Sequence, residues 1–426
     1  MKNKLFIAMA ALVATVGTII LPSCSQQPTT IEYDIPTYED NKDITIGVWN
    51  GSHHDLSDME LDNLRKAGVN LLVGDYVRKT PLIDFIDRCA EFDLDIIPDQ
   101  RPWNGTRPEF YDRENFLGFC VYDEPFYDKV AYLKEMREKY EEVMPEKKFF
   151  INLNPSYGNI GTDFETYISA YINEVGLKDL SYDNYSLLLD SETEEIYLRE
   201  DYLLDFDIAS HYAKEAGVPL WYSLLTSGHI SGSHNYTNPT VTELEWQMYL
   251  AMTYGSTYLL HFIYSTLDPT YIYPIVDMDG NPTDTYYKVK EANATIRSWD
   301  HIYMNFEWLG TTGIAGENGP TGLLDYLIYG VDIDEYGALV SAKSSEDVVI
   351  GQFKDANGNA GFMVTNVTNP VENKTAQALI TLSSDYKGAL VIKDGEESIV
   401  ALKDGVLSID VAAGSGMFVI PLKQKA

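Results

Sequence analysis

The sequence predicts an α/β protein, a (β/α)8 TIM barrel followed by a small antiparallel β-sandwich. From residue 45 onwards, eight short apolar runs alternate with amphipathic helical stretches. Near-continuous apolar strands followed by helices indicate a parallel sheet buried on both faces, and eight such units in about 260 residues fit a barrel. An open doubly wound sheet is the alternative. The first predicted strand is not followed by the glycine-rich loop that binds phosphate in nucleotide-binding sheets of that type.

The predicted strands are short and apolar, and most end in polar or aromatic residues. In chain order they are ITIGVWN, VNLLVGDY, LDIIPDQ, FLGFCVYDEP, KFFINLNP, LKDLSYDNY, VPLWYSLLTSG and TYLLHFIYST. Ser57 is a candidate N-cap and Gly68 a stop for the first helix, Pro81 lies near the start of the second, and Gly217 ends a helix expected over 194–217. The long amphipathic stretch 127–147 predicts the helix after the fourth strand.

The C-terminal part has a different texture. Beyond about residue 330 the pattern becomes short alternating segments separated by turns such as DANGNAG and several Asp-Gly pairs. Alternation with such turns is typical of antiparallel strands. We therefore predict a barrel domain over 43–325 and a β-sandwich accessory domain over 330–426.

The N-terminus predicts export as a bacterial lipoprotein. Lys2 and Lys4 precede an apolar stretch that ends at Leu21, and Leu-Pro-Ser-Cys follows, which resembles a lipobox with Cys24 as the lipidated residue. We expect a signal peptide over 1–23, a tether over 24–42, and a membrane-anchored protein in the periplasm or on the cell surface. A transmembrane anchor or a plain secretory signal is the alternative. The formal net charge of −34 argues against nucleic-acid binding.

Polar and aromatic residues cluster at the ends of the predicted strands. The C-terminal ends of the strands in a TIM barrel carry the chemistry. Carboxylates and amides there can bind sugar hydroxyls, and aromatic rings can stack on sugar faces. A scaffold role is the alternative for any single residue. The predicted substrate-binding residues are Trp49, Asp75, Asp99, Arg101, Trp103, Tyr122, Asn154, Tyr185, Tyr222, His261 and Tyr264.

We predict no metal and no cofactor. His53 and His54 could converge with Asp75 and Asp99, but adjacent residues of an extended strand point to opposite faces, so both histidines rarely bind one ion. DMDGNPTD at 277–284 has its glycine at the wrong position for a calcium loop and predicts a hairpin turn.

Two cysteines remain beyond Cys24. Cys89 lies in a helical pattern and Cys120 in the fourth strand. A disulfide between them is compatible with export, but we expect two buried thiols.

The fourth strand resembles a known group. Its ending, Asp123-Glu124-Pro125, is similar to the acid/base strand of clan A glycosidases, including β-galactosidase-like barrels, where the usual form is Asn-Glu-Pro. The segment from 273 to 293 and the C-terminal strands resemble the end of such barrels and their accessory domains. The resemblance implies that Glu124 is the general acid/base. A carboxyl at a barrel mouth beside Asp123 should also have a raised pKa.

The chain departs from that pattern at the seventh strand. Clan A enzymes place a nucleophilic Glu there, and VPLWYSLLTSGHIS contains no acid. Asp183 on the sixth strand could be the second carboxylate, at retaining or inverting spacing. Alternatively, the Asp-Glu pair is similar to that of family 20 hexosaminidases and LSYDNY to a strand of family 18 chitinase-like barrels. In those groups the substrate acetamide attacks, and Asp123 or Asp183 would orient it.

The sequence thus predicts an exported glycoside hydrolase that acts on an oligo- or polysaccharide, with catalytic residues Glu124, Asp183 and Asp123. A non-catalytic glycan-binding lipoprotein of a polysaccharide-uptake system is the alternative from another class. A metal-dependent hydrolase is a third.

Overall fold

The computed structural model describes residues 32–52, 55–76, 80–266, 268 and 270–425, without the side chains of residues 52, 75 and 76. The strands, in chain order, are β1 Thr45–Ser52, β2 Leu71–Tyr76, β3 Asp95–Pro98, β4 Gly118–Asp123, β5 Lys148–Leu153, β6 Leu180–Asp183, β7 Leu187–Leu189, β8 Ile196–Leu198, β9 Leu220–Leu225, β10 Gly228–Ser231, β11 His234–Tyr236, β12 Tyr258–Phe262, β13 Tyr271–Ile272, β14 Phe306–Ile314, β15 Leu339–Ser344, β16 Val348–Asp355, β17 Ala360–Asn366, β18 Ala376–Leu382, β19 Tyr386–Lys393, β20 Glu396–Ala401, β21 Val406–Val411 and β22 Gly416–Lys423.

The helices lie mostly between the strands of the first sheet. They are α1 Asp58–Lys66, α2 Leu82–Glu91, α3 Val130–Val143, α4 Phe164–Ala170, α5 Tyr202–Ala216, α6 Val241–Thr253, α7 Asp284–Arg297 and α8 Asp300–Tyr303. Ser57 and Thr240 begin α1 and α6 with capping boxes, each accepting from the backbone three residues on. The segment between β3 and β4 contains no helix.

Eight parallel strands form the predicted barrel. Their order is β3-β2-β1-β12-β9-β6-β5-β4, and isolated parallel bridges Ile96–Phe116 and Asp99–Cys120 join the two ends. The backbone N–H of Gln100 donates to the Cys120 carbonyl at 2.9 Å across this seam. The predicted fold class, a TIM barrel followed by antiparallel sheets, is confirmed.

Strand alternation divides the barrel residues into two sets. Trp49, Leu71, Val73, Ile97, Cys120, Phe150, Trp221 and Leu260 belong to one apolar cluster that fills the interior. Their strand neighbours, such as Val48, Leu72, Ile151 and Leu259, pack in the larger cluster between the sheet and the helices. A residue of a barrel strand therefore faces the interior or the helices according to its parity, and this parity selects the residues that reach the mouth.

Three loops at the C-terminal ends of the strands form a second sheet over the barrel. Its order is β13-β10-β11-β7-β8, and we call it the lid sheet. It combines segments that follow β6, β9 and β12. Because Ile196–Leu198 pairs with Leu187–Leu189, α5 begins at Tyr202, and the helix predicted over 194–217 is too long at its start.

The C-terminal strands form two antiparallel sheets around one core. The larger has the order β14-β16-β17-β22-β19-β20 and the smaller β15-β18-β21. Apolar residues of both sheets, including Val364, Ile380 and Leu407, share a cluster. β14, which ends at Ile314, already belongs to the larger sheet and lies before the predicted boundary at 325–330. β14 was not predicted because its glycines and Thr311-Thr312 interrupt the apolar pattern by which strands are recognised.

The two domains share buried contacts. Trp246 Nε1 donates to the Asn366 carbonyl at 3.1 Å, and the Tyr202 hydroxyl donates to the Val367 carbonyl at 3.0 Å.

Cys89 and Cys120 are buried thiols, and burial raises the pKa of Cys89 to about 12. DMDGNPTD is a turn, since Asp277 Oδ1 accepts from the backbone of Asp279 and Asn281.

The signal peptide over 1–23, Cys24 and the start of the tether lie outside the described residues. His53 and His54 do as well. Within the described ranges, no helix combines the length and apolar content needed to span a bilayer.

Candidate active site

A cavity of about 550 Å³ opens at the C-terminal mouth of the barrel, beneath the lid sheet. Its volume lies within the range of about 300–1,000 Å³ that is usual for ligand pockets. Carboxyl groups and side-chain amides line its floor, and aromatic rings line much of its wall. The polar side chains include Asp123, Glu124, Asn152, Asn154, Asp183 and Ser223.

Asp123 and Glu124 both line this cavity although they are adjacent in the chain. Strict alternation would send them to opposite faces. A bulge between Cys120 and Tyr122 shifts the register, so that Asp123 pairs with the inward-facing Asn152. Glu124 then adopts a left-handed backbone, with φ of 47°. This conformation costs about 1–2 kcal/mol in a residue with a Cβ, and such strain is concentrated at functional sites.

The turn that carries Glu124 is held by hydrogen bonds on both sides. Its backbone N–H donates to the Asn152 carbonyl at 2.8 Å. The carbonyl of Pro125 accepts from the Tyr167 hydroxyl at 2.6 Å and from Asn154 Nδ2 at 3.3 Å. The backbone turn at Glu124 is therefore held by β5, the residue after it and α4, and not by its own loop alone.

Asp183 ends β6 and is almost fully buried, with 5% of its surface exposed. Asn152 Nδ2 donates to Asp183 Oδ1 at 3.2 Å, and Asn152 Oδ1 accepts from Ser181 Oγ at 2.9 Å. Burial raises the pKa of Asp183 well above its usual value, and the negative charges of Glu124 and Asp123 raise it further. The hydrogen bond from Asn152 acts in the opposite direction.

Glu124 is exposed to the open cavity, whereas Asp183 lies behind it in the wall. The walls still remove enough water to raise the pKa of Glu124. Because the two carboxyls influence each other's ionisation, their protons belong to the pair and not to either residue alone. Such a pair can keep one proton at a pH where an isolated carboxyl has lost it.

Arg101 holds Asp123 in place at the edge of the cavity. Arg101 Nη1 lies 3.0 Å from Asp123 Oδ2, and Arg101 Nε pairs with Asp99. The guanidinium thus bridges the ends of β3 and β4, the two strands at the seam of the barrel. Of the predicted binding residues, Asp99 and Arg101 therefore support Asp123.

Aromatic rings from the barrel and the lid sheet form the wall. Tyr185 stacks on Phe262 with centroids 5.6 Å apart, and His229 stacks on Tyr271 at 4.8 Å. His229 Nδ1 lies 2.9 Å from the Ser227 carbonyl and donates to it, and burial lowers the pKa of His229. The ring is therefore neutral near pH 7 and acts as part of the wall.

The structure brings only some of the predicted site residues to the cavity. Trp49, Asp123, Glu124, Asn154, Asp183 and Tyr185 line the cavity. Tyr122 lines a neighbouring depression together with Arg101. The side chain of Asp75 lies outside the described part of the chain.

Four predicted binding residues point away from the cavity. Trp103 packs on Tyr140, with ring centroids 4.9 Å apart. The Tyr222 hydroxyl donates to the Asn184 carbonyl at 2.6 Å, and the Tyr264 hydroxyl lies 3.4 Å from Glu60 Oε1. His261 lies between Thr226 and Asn293, and burial lowers its pKa to about 4. The structure therefore does not bring these four side chains to the cavity, and strand parity turns two of them, Tyr222 and His261, towards the helices.

Several lining residues were missed from the sequence. Asn152, Ser223 and Phe262 follow from strand parity once the inward face is known. Tyr157, His229, His234, Tyr236 and Tyr271 lie on loops and the lid sheet. The segment SGHISGSHNY, which follows the seventh strand, places small residues around two histidines, and this feature could have indicated a lining loop. The described residues contain no group of three or more His, Cys, Asp or Glu side chains placed to hold a metal ion.

Comparison with known proteins yields matches only at the level of structure. No protein-family profile matches the chain, and no curated protein sequence does. A solved structure described as a glycoside hydrolase aligns over 90% of this chain and 93% of its own, with a TM-score of 0.55 and 12% identity.

Two other solved structures align less closely. A β-galactosidase from the psychrophilic Marinomonas ef1 covers 62% of each chain, with a TM-score of 0.46 and 10% identity. A β-L-arabinopyranosidase of family GH27 from Geobacillus stearothermophilus covers 91% of this chain and 98% of its own, with a TM-score of 0.44 and 13% identity. At these identities, the glycoside hydrolase match shows a shared fold.

Proposed function

We propose that the protein is a glycoside hydrolase in which Glu124 is the general acid and Asp183 its partner carboxyl. One observation carries the proposal: both side chains, from β4 and β6, line a single aromatic cavity at the mouth of a TIM barrel. Most glycoside hydrolases use a pair of carboxyl groups that flank the scissile bond as their catalytic residues. The glycoside hydrolase fold of the solved relative agrees with it.

Glu124 is the better placed of the two to donate a proton. It is exposed to the cavity, so its carboxyl can approach a glycosidic oxygen. Its raised pKa favours the protonated form before the reaction. Transfer of that proton to the leaving oxygen lets the bond to the anomeric carbon break without release of an alkoxide. Burial near the aromatic wall strengthens these electrostatic interactions.

Asp183 then acts as base, nucleophile or orienting group. As a base it would deliver water with inversion, and as a nucleophile it would form a glycosyl ester with retention. As an orienting group it would hold a substrate acetamide, which attacks in its place. NMR of the first product anomer separates inversion from retention, and comparison of glucoside with N-acetylglucosaminide rates identifies the acetamide route.

The first test is a panel of aryl glycosides and glycans with wild type, Glu124→Gln and Asp183→Asn. We expect each variant to lose about 10²–10⁴-fold in kcat on a substrate that the wild type cleaves. Glu138→Gln, at an exposed carboxyl on α3, is the matched control and should keep the wild-type rate. Full activity in Glu124→Gln with unchanged melting temperature would remove Glu124 from the mechanism.

One feature favours a second candidate, a non-catalytic glycan-binding protein. β9 presents Ser223 to the cavity and contains no acid, whereas the clan A glycosidases that the chain resembles carry a nucleophilic Glu on their seventh strand. This candidate predicts heat of binding with oligosaccharides and no product by chromatography. Turnover that disappears in Glu124→Gln excludes it.

The proposed site of action is outside the cytoplasm, with the chain anchored through Cys24. The support is the lipobox-like sequence that ends at this cysteine. In a bacterial host, labelled palmitate should be incorporated into the wild type, and Cys24→Ser should be unlabelled and lost from the membrane fraction. Equal labelling of both forms would contradict the anchor.

A further inference from the structure

A second depression lies beside the cavity. It has a volume of about 670 Å³, and its lining includes Arg101, Pro102, Tyr122, Lys129 and Tyr132. It lies between the end of β3 and the start of α3. Asp123 lines both this depression and the cavity, so the two adjoin at one carboxylate.

The side chains of this depression suit a sugar ring. Tyr132 exposes 47% of its surface and is available for stacking. Tyr122 is half-buried beside Lys129, whose pKa is raised mainly by the hydrogen bond to Asp128. Aromatic faces next to charged hydrogen-bonding groups are the combination that a pyranose needs, because its ring faces are apolar and its rim is hydroxylated.

The charges of the cavity disfavour an anionic sugar, whereas those of the depression balance one another. In the depression, Arg101 lies 3.0 Å from Asp123, and Lys129 lies 3.1 Å from Asp128, so the cations are paired. In the cavity, the described lining contains carboxyls but no lysine or arginine. Burial lowers the pKa of His229, and burial together with the nearby charge of Arg199 lowers the pKa of His234, so neither ring supplies a positive charge at neutral pH. A uronic acid or a sulfated sugar would therefore meet the carboxyls of the cavity without a counter-charge from its lining.

The geometry points to the depression as a second subsite. The substrate is then an uncharged oligosaccharide that extends from the cavity past Asp123 into the depression. This inference rests on the proposed glycosidase function for its direction. A general acid lies on the side of the leaving group, so the depression, which meets the cavity at Asp123 next to Glu124, receives the leaving part of the chain. Binding energy from this remote part would increase kcat/KM for longer substrates.

The test uses Tyr132→Ala, with Tyr287→Ala as the control because Tyr287 is an exposed tyrosine on α7 away from both sites. The measured quantity is kcat/KM for a neutral tetrasaccharide divided by kcat/KM for the glycosyl fluoride of the same sugar, whose small leaving group does not reach the depression. We expect Tyr132→Ala to lower this ratio about tenfold. Tyr287→Ala should keep the wild-type ratio. An unchanged ratio in Tyr132→Ala, with turnover intact, overturns the subsite and leaves the glycosidase proposal standing.

Calorimetry with the same neutral tetrasaccharide separates the two proposals where the wild type shows no turnover. Binding that Tyr132→Ala weakens about tenfold, and Tyr287→Ala does not, supports the subsite and removes the hydrolase. Binding that Tyr132→Ala leaves unchanged, or no binding at all, overturns the subsite. A tetrasaccharide of uronic acid units that binds as tightly as the neutral one overturns the charge assignment.

Discussion

Asn152 Nδ2 donates a hydrogen bond of 3.2 Å to Asp183 Oδ1, and Asn152 also pairs in register with Asp123 on the neighbouring strand. One amide at the end of β5 therefore lies between the two strands that carry the acidic residues. Its hydrogen bond favours the ionised form of Asp183, against burial and the charge of Glu124. The ionisation of the pair should depend on this residue.

Asn152→Ala should move the alkaline limb of the pH–rate profile to higher pH. Loss of the donor removes an interaction that lowers the pKa of Asp183, so the carboxyl pair would release its proton at higher pH. Ser181→Ala, which removes only the donor to Asn152, should shift the limb less. The measurement is kcat/KM from pH 4 to pH 9. A limb that stays in place, or moves to lower pH, would contradict the role of Asn152.

Arg101→Met should lower kcat/KM by about tenfold or more. The guanidinium contacts both Asp99 and Asp123, and its loss removes this ion pair from Asp123 at the junction of the cavity and the depression. Lysine cannot reproduce a planar fork between two carboxylates, so Arg101→Lys should fall between wild type and Arg101→Met. Arg113→Met, which breaks an exposed pair with Asp87, is the control and should be active. Equal activity of all four proteins would refute the positioning role of Arg101.

The stability of the protein should fall as pH rises from about 4 to 7, partly because of Asp205. This fully buried carboxyl has its pKa raised to about 7 by burial. The folded state therefore binds more protons than the unfolded state in that window, and the free energy of unfolding decreases until the pKa of the folded state is passed. In Asp205→Asn, the fall of the melting temperature between pH 5 and pH 8 should be smaller than in wild type. Glu135→Gln, at an exposed carboxyl on α3, should show the wild-type fall. The same fall in Asp205→Asn would rule out this contribution.

Gly118→Ala should destabilise the barrel strongly. Gly118 begins β4 with φ of 148°, and a Cβ there would lie 2.0 Å from the Lys148 carbonyl oxygen. The strand that carries Glu124 would have to move away from β5, at a cost of at least about 3 kcal/mol in the free energy of unfolding. Gly176→Ala is the matched control, since it has φ of 76° and open space around its Cβ position, and should cost about 1 kcal/mol. Urea denaturation measures both, and equal costs would be inconsistent with the close approach at Gly118.

The barrel was predictable because each strand is a local apolar run with its own period. The positions of the acidic residues were predictable for the same reason, since parallel strands bring their C-terminal ends to one side. The direction of individual side chains was less accessible. Tyr222 and Ser223 are adjacent within the apolar strand β9, but only Ser223 faces the cavity. The sequence at a strand end does not show which of two adjacent side chains points into the barrel. An assignment that is wrong by one residue exchanges the inner and outer faces of the strand.

The lid sheet could not be read from the sequence. Leu187–Leu189 and His234–Tyr236 are three-residue strands, and their pairing joins loops that are distant in the chain. Short non-local pairs leave no periodic pattern. The bulge in β4 was equally hidden, although it allows Asp123 and Glu124 to face one cavity.

The central claim is that Glu124 donates the proton to the leaving oxygen, and dependence on the leaving group tests it most directly. The measurement is kcat/KM of wild type and Glu124→Gln on a pair of aryl glycosides of one sugar, one with an unactivated phenol and one with a dinitrophenol. We predict a loss of about 10²–10⁴-fold on the unactivated substrate and a much smaller loss on the dinitrophenyl substrate, which leaves without a proton. Equal losses on both substrates would contradict general acid catalysis by Glu124.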